Sequence, residues 1–447
     1  MTPGTHAGVT AAWLAALCAA CGGGSGGGST DGGPSSFSIA LGSATTFATH
    51  AQFAAAGFLW GPPDGTLGVV SRGAGSYLFF GSAAGAASPS SAGPACSGSP
   101  GQQGAFVFDG SLGELSGLTA SGCKALFTKG SAPSGWVFDK DYAGGGSVLP
   151  FTSGSTSGLL MTYHGEVHWK SPTSSNGLCN DVPCFYGGIG LAVSVDGGSS
   201  FTSVGQILQP FQPLSVYQGS NENVGVGYGS MVLADDAGNW LAAPAANPSA
   251  AYLYVLYEDY LPSGAAGPCA NVACVAVARA RLDEVLAAVV PLASASPTAV
   301  AGLFRKYDAA GSDPWSSPGT SGDPTEEHAS GSFTPLFPDT NSFLPSVIWD
   351  TVANAYLMVH QREVGGSQPV NFIIRSSTDL LNWSSPLATF APPAGHEPFY
   401  PTLVGENGVP LVGGAAPRLF FSTFPDGFPN WVGSELDSLP LQVTQSP

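Results

Sequence analysis

One short pattern recurs along this chain and limits what it can fold into. An apolar strand is followed by a turn and then by a second strand rich in Tyr, Leu, Phe and Val. It occurs at residues 65–70 with 76–81, 147–151 with 158–163, 229–234 with 251–257, 344–349 with 355–360 and 400–405 with 418–423. The turns between partners hold Gly, Ser, Asn or Asp, the residues that take hairpin dihedrals at low cost. Third strands follow at 105–108, 189–194, 275–280 and 372–376. Small antiparallel sheets repeated in this way bury their faces against one another when arranged radially. The pattern predicts an all-β, five-bladed β-propeller. A β-sandwich uses the same alternation and is the competing architecture. Only residues 282–290 read as a short helix.

Composition supports this reading. Gly 63 and Pro 37 in 447 residues argue against a helical bundle, because both are costly inside helices. Aromatics at 11% with charged residues at only 9% are the reverse of a disordered chain. No Gly-x-y period appears, which excludes collagen. Lys+Arg 12 against Asp+Glu 30 gives a net charge of −18, which repels phosphate backbones and anionic lipid. Nucleic acid is therefore not an expected partner. The acidity serves solubility, or a cleft whose carboxylates meet sugars or cations.

Residues 11–20 form an apolar run too short to span a bilayer, followed at once by Cys21 and a Gly/Ser tract. This start resembles a bacterial lipoprotein signal. The resemblance implies a signal peptide at 1–21 ending at a lipidated Cys21, a tether at 22–45 and a propeller domain at 46–447. It places the protein outside the cytoplasm, in the cell envelope, with membrane contact only through the lipid anchor. A monomer is expected. Six further cysteines suit disulfides in an oxidising compartment. The expected pairs are Cys179–Cys184, Cys269–Cys274 and Cys96–Cys123. A structural zinc is the alternative, though neither x4-spaced pair has histidines beside it.

Two turns carry a family resemblance. Ser194-Val195-Asp196-Gly197-Gly198-Ser199-Ser200-Phe201 is similar to the Asp-box of sialidase-type propellers. Ser377-Thr378-Asp379-Leu380-Leu381-Asn382-Trp383 resembles a turn of five-bladed propeller glycoside hydrolases, the arabinanases, β-xylosidases and invertases. The likeness runs over residues 55–445 by blade pattern.

In a hairpin the start of one strand lies beside the end of its partner, so polar residues at both places share a face. Before first strands stand Asp64, Asp141 with Tyr142, Glu222 with Asn223, Asn341, and His396 with Glu397. After second strands stand His164 with Glu166, Glu258 with Asp259, and His360 with Gln361 and Arg362. Seven of the 30 acids fall at these positions. Glycoside hydrolysis needs a protonated and an ionised carboxyl together. The resemblance therefore implies catalytic roles for Asp64, Glu166 and Glu258, with Glu166 as general acid. Substrate contacts are expected from Asp141, His164, Trp169, Glu222, Asp259, His360, Arg362 and Glu397. On a strand, His164, Glu166 and His168 share one face and form either such a site or a metal site. Period two lets only one of Glu258 and Asp259 face the centre. No cofactor is expected, and a structural calcium is left open. The function expected is binding or hydrolysis of glycans, and the alternative is a non-catalytic surface propeller that binds carbohydrate or protein.

Overall fold

The protein is described by a computed structural model covering residues 36–55, 64–73, 75–82, 103–109, 112, 118–119, 138–169, 178–179, 182–220, 222, 224–241, 247–269, 273–291, 300, 302–322, 329–337, 341–363, 370–393, 395–406, 410–425, 427–428 and 433–446. Cys21, Cys96 and Cys123 lie outside the described residues.

The described residues are mostly β-sheet, and their main strands fall in chain order into five antiparallel groups, of which II and III belong to one hydrogen-bonded sheet. Group I holds Gly68–Gly73, Ser76–Ser82, Gln103–Asp109 and Leu118–Thr119. Group II holds Tyr142–Ser153, Thr156–His168, Phe185–Ser194 and Thr202–Leu208. Group III holds Val224–Ala234, Tyr252–Tyr260, Ala273–Arg281 and the short Arg305–Lys306 and Ser317–Pro318. Group IV holds Ser342–Asp350, Ala355–Glu363, Val370–Ser377 and Ala388–Phe390. Group V holds Glu397–Val404, Arg418–Phe424 and Glu435–Gln445.

All five expected hairpins form; the first strand of group I is shifted to Gly68–Gly73, and most of the other strands are longer than the sequence pattern marks. The reason is that polar strand ends continue the ladder into the site face. Group II runs Tyr142↔Glu166 to Ser153↔Thr156, beyond the expected 147–151 and 158–163. Helix Leu282–Val289 matches the one helical stretch and buries Leu282, Val285, Leu286 and Val289. Part of the expected tether is in strands. Phe37–Leu41 and Thr45–Thr49 both pair with Glu435–Gln445, because the last strand would otherwise present an open edge. Groups II and III are not fully separate, since Tyr186↔Val224 and Gly187↔Gly225 form a short parallel link.

Apolar packing explains the arrangement. One buried layer joins groups I and II through Val70, Phe80, Val148 and Met161. Others join II to III through Leu160, Ile189, Met231 and Val255, and III to IV through Val232, Tyr254, Val347 and Met358. A further layer joins IV to V through Ile348, Leu357, Leu403 and Leu419. The fifth joins V back to I through Phe420, Val404, Val69 and Phe79. A sandwich has one such layer between two sheets. Here the layers follow one another and return to the start.

A hydroxyl relay repeats the cycle on the first strands. The Met231 amide donates to Ser147 Oγ at 3.1 Å, and Val347 N donates to Ser230 Oγ at 3.0 Å. Leu403 N donates to Ser346 Oγ and Leu67 N to Thr402 Oγ1, both at 2.9 Å. These bonds run II to III, III to IV, IV to V and V to I. Thr66 occupies the fifth matching place, and all five hydroxyls line one cavity. Ser230→Ala leaves the buried Val347 amide without its acceptor. It is expected to cost about 1–3 kcal/mol, read as a lower urea midpoint at unchanged slope.

The two Asp turns close as their chemistry requires. Asp196 Oδ1 accepts Ser200 N at 2.9 Å and Ser194 Oγ at 2.8 Å, while Phe201 is buried against Phe80. Asp379 Oδ1 accepts Asn382 N at 2.8 Å, and Trp383 Nε1 donates to Leu380 O at 3.0 Å. Cys269 and Cys274 are bridged, as expected. Cys184 is also in a disulfide. Cys179 stands opposite Val182 in a short hairpin, and its side chain lies outside the description.

Candidate active site

Four of the five first strands carry a register shift just before or at the relay hydroxyl. A bulge turns the chain and re-aims side chains across the strand. Two residues before the hydroxyl stand Tyr228, Leu344 and Tyr400, with φ of 21°, 52° and 59°. A non-glycine residue in that region costs energy and is held there by its surroundings. Asp64 stands in the same place relative to Thr66.

Asp64 is surrounded by tyrosines. Tyr400 donates to Oδ1 at 2.7 Å, and the single Tyr142 hydroxyl proton is shared between Oδ2 at 3.2 Å and the Asp64 carbonyl at 3.0 Å. Tyr228 donates to the Asp64 carbonyl at 3.1 Å, and Ser82 Oγ also reaches that carbonyl. Gly65 next door has φ 144°, and a Cβ there would lie 2.6 Å from the Tyr228 ring. Burial pushes the Asp64 carboxyl up, the two tyrosine bonds pull it back, and the nearby Glu166 charge adds to the rise. The balance is about 6.

Glu166 sits across the strand pair from Tyr142. His164 Nε2 lies 3.2 Å from Oε1 and His168 Nε2 lies 2.7 Å from Oε2. Burial works against its charge, but the two histidine bonds outweigh it and hold the carboxyl below its ordinary range. This is the state of a fixed anion, not of a proton donor. Both histidines direct Nε2 at Glu166, so hydrogen bonds join the three side chains. Among the described residues no three His, Cys, Asp or Glu side chains gather to hold a metal ion.

Glu258 is the third carboxylate. Its Oε2 accepts the Leu344 amide at 2.8 Å, and its side chain lies over Gly227. Burial raises its proton affinity, while the Leu344 amide and the His164 charge oppose the rise. Gln361 does the same work one group later, its Oε1 accepting the Tyr400 amide at 3.0 Å. The two residues occupy matching register positions, opposite Gly227 and Phe343.

Asp64, Glu166 and Glu258, from groups I, II and III, each interact with His164. Asp141 closes the edge of the cluster, its Oδ2 accepting His168 N at 2.7 Å. Trp169 follows on the same strand end, its amide donating to Cys184 O at 3.1 Å. The remaining expected contacts do other work. Asp259 points to the opposite face, 3.7 Å from Lys306 Nζ and fully buried. His360 stacks on Phe337, accepts Arg375 Nε at 3.2 Å, and is pushed down to about 3 by burial, with the Arg375 and Arg362 charges adding to the fall. Arg362, two residues on, is half-buried, and its charge reaches His360. Glu222 caps Ser263 N at 2.8 Å and Glu397 caps Phe428 N at 2.8 Å. The sequence reading missed Tyr228, Tyr400 and Lys306. The first two had a signal: each stands two residues before a relay hydroxyl, as Asp64 does.

No protein-family model and no curated protein matches this sequence. Among solved structures the chain is similar to a GH32 β-fructofuranosidase of Bombyx mori, at 11% identity over 89% of this chain and 67% of that one, TM-score 0.41. It is similar to an endo-1,5-α-L-arabinanase from Thermotoga petrophila, at 12% identity over 87% of this chain and 75% of that one, TM-score 0.39. It is also similar to an α-L-arabinofuranosidase from Fusarium graminearum, at 10% identity over 88% and 85%, TM-score 0.37. At TM-scores this low the likenesses carry no argument about activity.

Proposed function

We infer that the chain is a five-bladed β-propeller that hydrolyses glycosides at the Asp64, Glu166 and Glu258 cluster. The observation that carries the reading is the split in proton affinity among neighbouring carboxyls. Glu166 is held ionised, while Asp64 and Glu258 are both raised. Acid–base cleavage of an acetal needs such opposed states side by side. Glu258 takes the acid role the sequence reading gave to Glu166. Asp64, ionised above about pH 6, acts as base, and the Glu166 anion adds to the rise that burial of Asp64 begins. The five apolar layers and the hydroxyl relay support the blade count, and the Asp196 turn supports the Asp-box reading. Export as a lipoprotein through Cys21 and a monomeric state belong to the same proposal.

The test is a screen of the purified protein against aryl glycosides and polysaccharides. Turnover is expected, with kcat/KM falling below about pH 6 as Asp64 takes up its proton. One observation favours a second reading: both Asp64 oxygens already accept tyrosine hydroxyls. A non-catalytic glycan-binding propeller would bind polysaccharide in calorimetry and turn over none of the panel.

A further inference from the structure

Tyr142, Tyr228 and Tyr400 come from groups II, III and V, yet their hydroxyls all reach Asp64 in group I. Three long side chains meeting on one residue cost rotamer freedom and, at Tyr228 and Tyr400, backbone strain. Such strain persists only where the surroundings impose it. At Tyr400 the restraint is visible. Gln361 Oε1 accepts the Tyr400 amide at 3.0 Å, and Gln361 Nε2 donates to Pro398 O at 3.2 Å. The side chain thus ties Pro398, before the bulge, to Tyr400 within it. Tyr400 lies on the last strand group and Asp64 just before the first, so their 2.7 Å bond crosses the closure of the cycle.

We propose that Tyr400, with Tyr142 beside it, is the positioning residue that fixes the Asp64 carboxylate and governs when it takes up a proton. Gln361 acts one step further back, by holding Tyr400 in its left-handed backbone. The charged and titratable groups around Asp64 are Glu166, His164, Tyr142, Tyr228 and Tyr400. Glu166 opposes ionisation of Asp64, and His164 favours it. The hydroxyls of Tyr400 and Tyr142 favour the carboxylate by donating to it. Burial raises the phenol proton affinity of all three tyrosines, so they stay donors throughout the range where Asp64 titrates. Catalytic meaning for this grip rests on Asp64 being the base, but the grip itself is measurable without turnover.

The experiment is a carbon-13 NMR titration of the full chain labelled at the aspartate carboxyls. The Asp64 signal is identified by its loss in Asp64→Asn. The midpoint in the wild type is expected at about 6. Tyr400→Phe removes a donor to the charged form and is expected to raise it by about 1 pH unit. Tyr142→Phe is expected to raise it less, because its bond is the longer one. Gln361→Met should move it in the same direction as Tyr400→Phe. A merely structural role for Tyr400 would lower the unfolding midpoint and leave the titration where it was. An unmoved Asp64 midpoint in both Phe variants overturns the proposal. A moved midpoint in a protein that cleaves no glycoside keeps the tyrosine grip and removes only the reading of Asp64 as a base.

Discussion

Glu258→Gln is expected to lower glycoside turnover by about 10²–10⁴-fold, the usual contribution of a positioned general acid, while leaving the fold intact. The structural half of this expectation comes from the protein's own internal comparison. Glu258 and Gln361 occupy matching places, and each accepts the amide of the next group's bulge residue, Leu344 or Tyr400. A glutamine therefore already performs the capping task in group IV. Placed at 258, its amide oxygen can accept Leu344 N as the carboxylate does. What it cannot do is carry a transferable proton. Denaturant unfolding and kcat on an aryl glycoside, measured together, separate the two roles. A loss of stability matching the loss of activity would make Glu258 a clamp and nothing more. Glu258→Ala lacks that discrimination, because it leaves the buried amide without an acceptor.

The largest expected effect on stability lies away from this cluster. Lys306 is fully buried, 3.7 Å from Asp259, and donates to Gln209 O at 2.8 Å and Ser330 Oγ at 2.6 Å. Burial pushes both partners toward their neutral forms, and each one's charge resists the other's loss. Lys306→Met removes the only compensation Asp259 has from a charged side chain within ion-pair distance among the described residues. The expected cost is about 3–5 kcal/mol. It should be smaller at pH 5 than at pH 8. Without Lys306 the folded Asp259 stays protonated to higher pH, whereas the unfolded chain has already ionised near its ordinary value. Stability is then lost as pH rises between those two points. The double variant Lys306→Met with Asp259→Leu should recover most of the loss, because a well-packed apolar pair avoids the desolvation of both charges. Urea midpoints of the three proteins at both pH values test this. Equal stability of Lys306→Met and wild type would mean that the pair contributes nothing.

Much of the scaffold was legible because its signals are local. Alternation and turn residues placed all five hairpins, and the Ser194–Asp196 and Ser377–Asp379 contacts follow from side chains a few residues apart. Part of the site was legible for the same reason. Strand ends lie together in any hairpin, so Asp64, His164, Glu166 and Glu258 were found by position. The same rule marked Asp259, His360, Arg362, Glu222 and Glu397, whose partners in the folded chain it did not foresee. Position at a strand end says nothing about which face a side chain takes, and a one-residue step reverses it. Tyr228 and Tyr400 escaped because bulges break the period that the reading depends on. The proton state of Glu166 was not legible: His164 and His168 were visible as company, but their bonds lower its proton affinity.

What the sequence determined by itself was a β-hairpin repeat with acids at the strand ends, since both follow from interactions within about a dozen residues. The tertiary structure decided the closure and the chemistry. Tyr400 meets Asp64 across 336 positions of sequence, and Leu67 meets Thr402 across 335. Proton affinity depends on burial and on charges brought from other strand groups, so no local pattern encodes it. Only the folded cycle holds one carboxyl as an anion and raises the proton affinity of the two others.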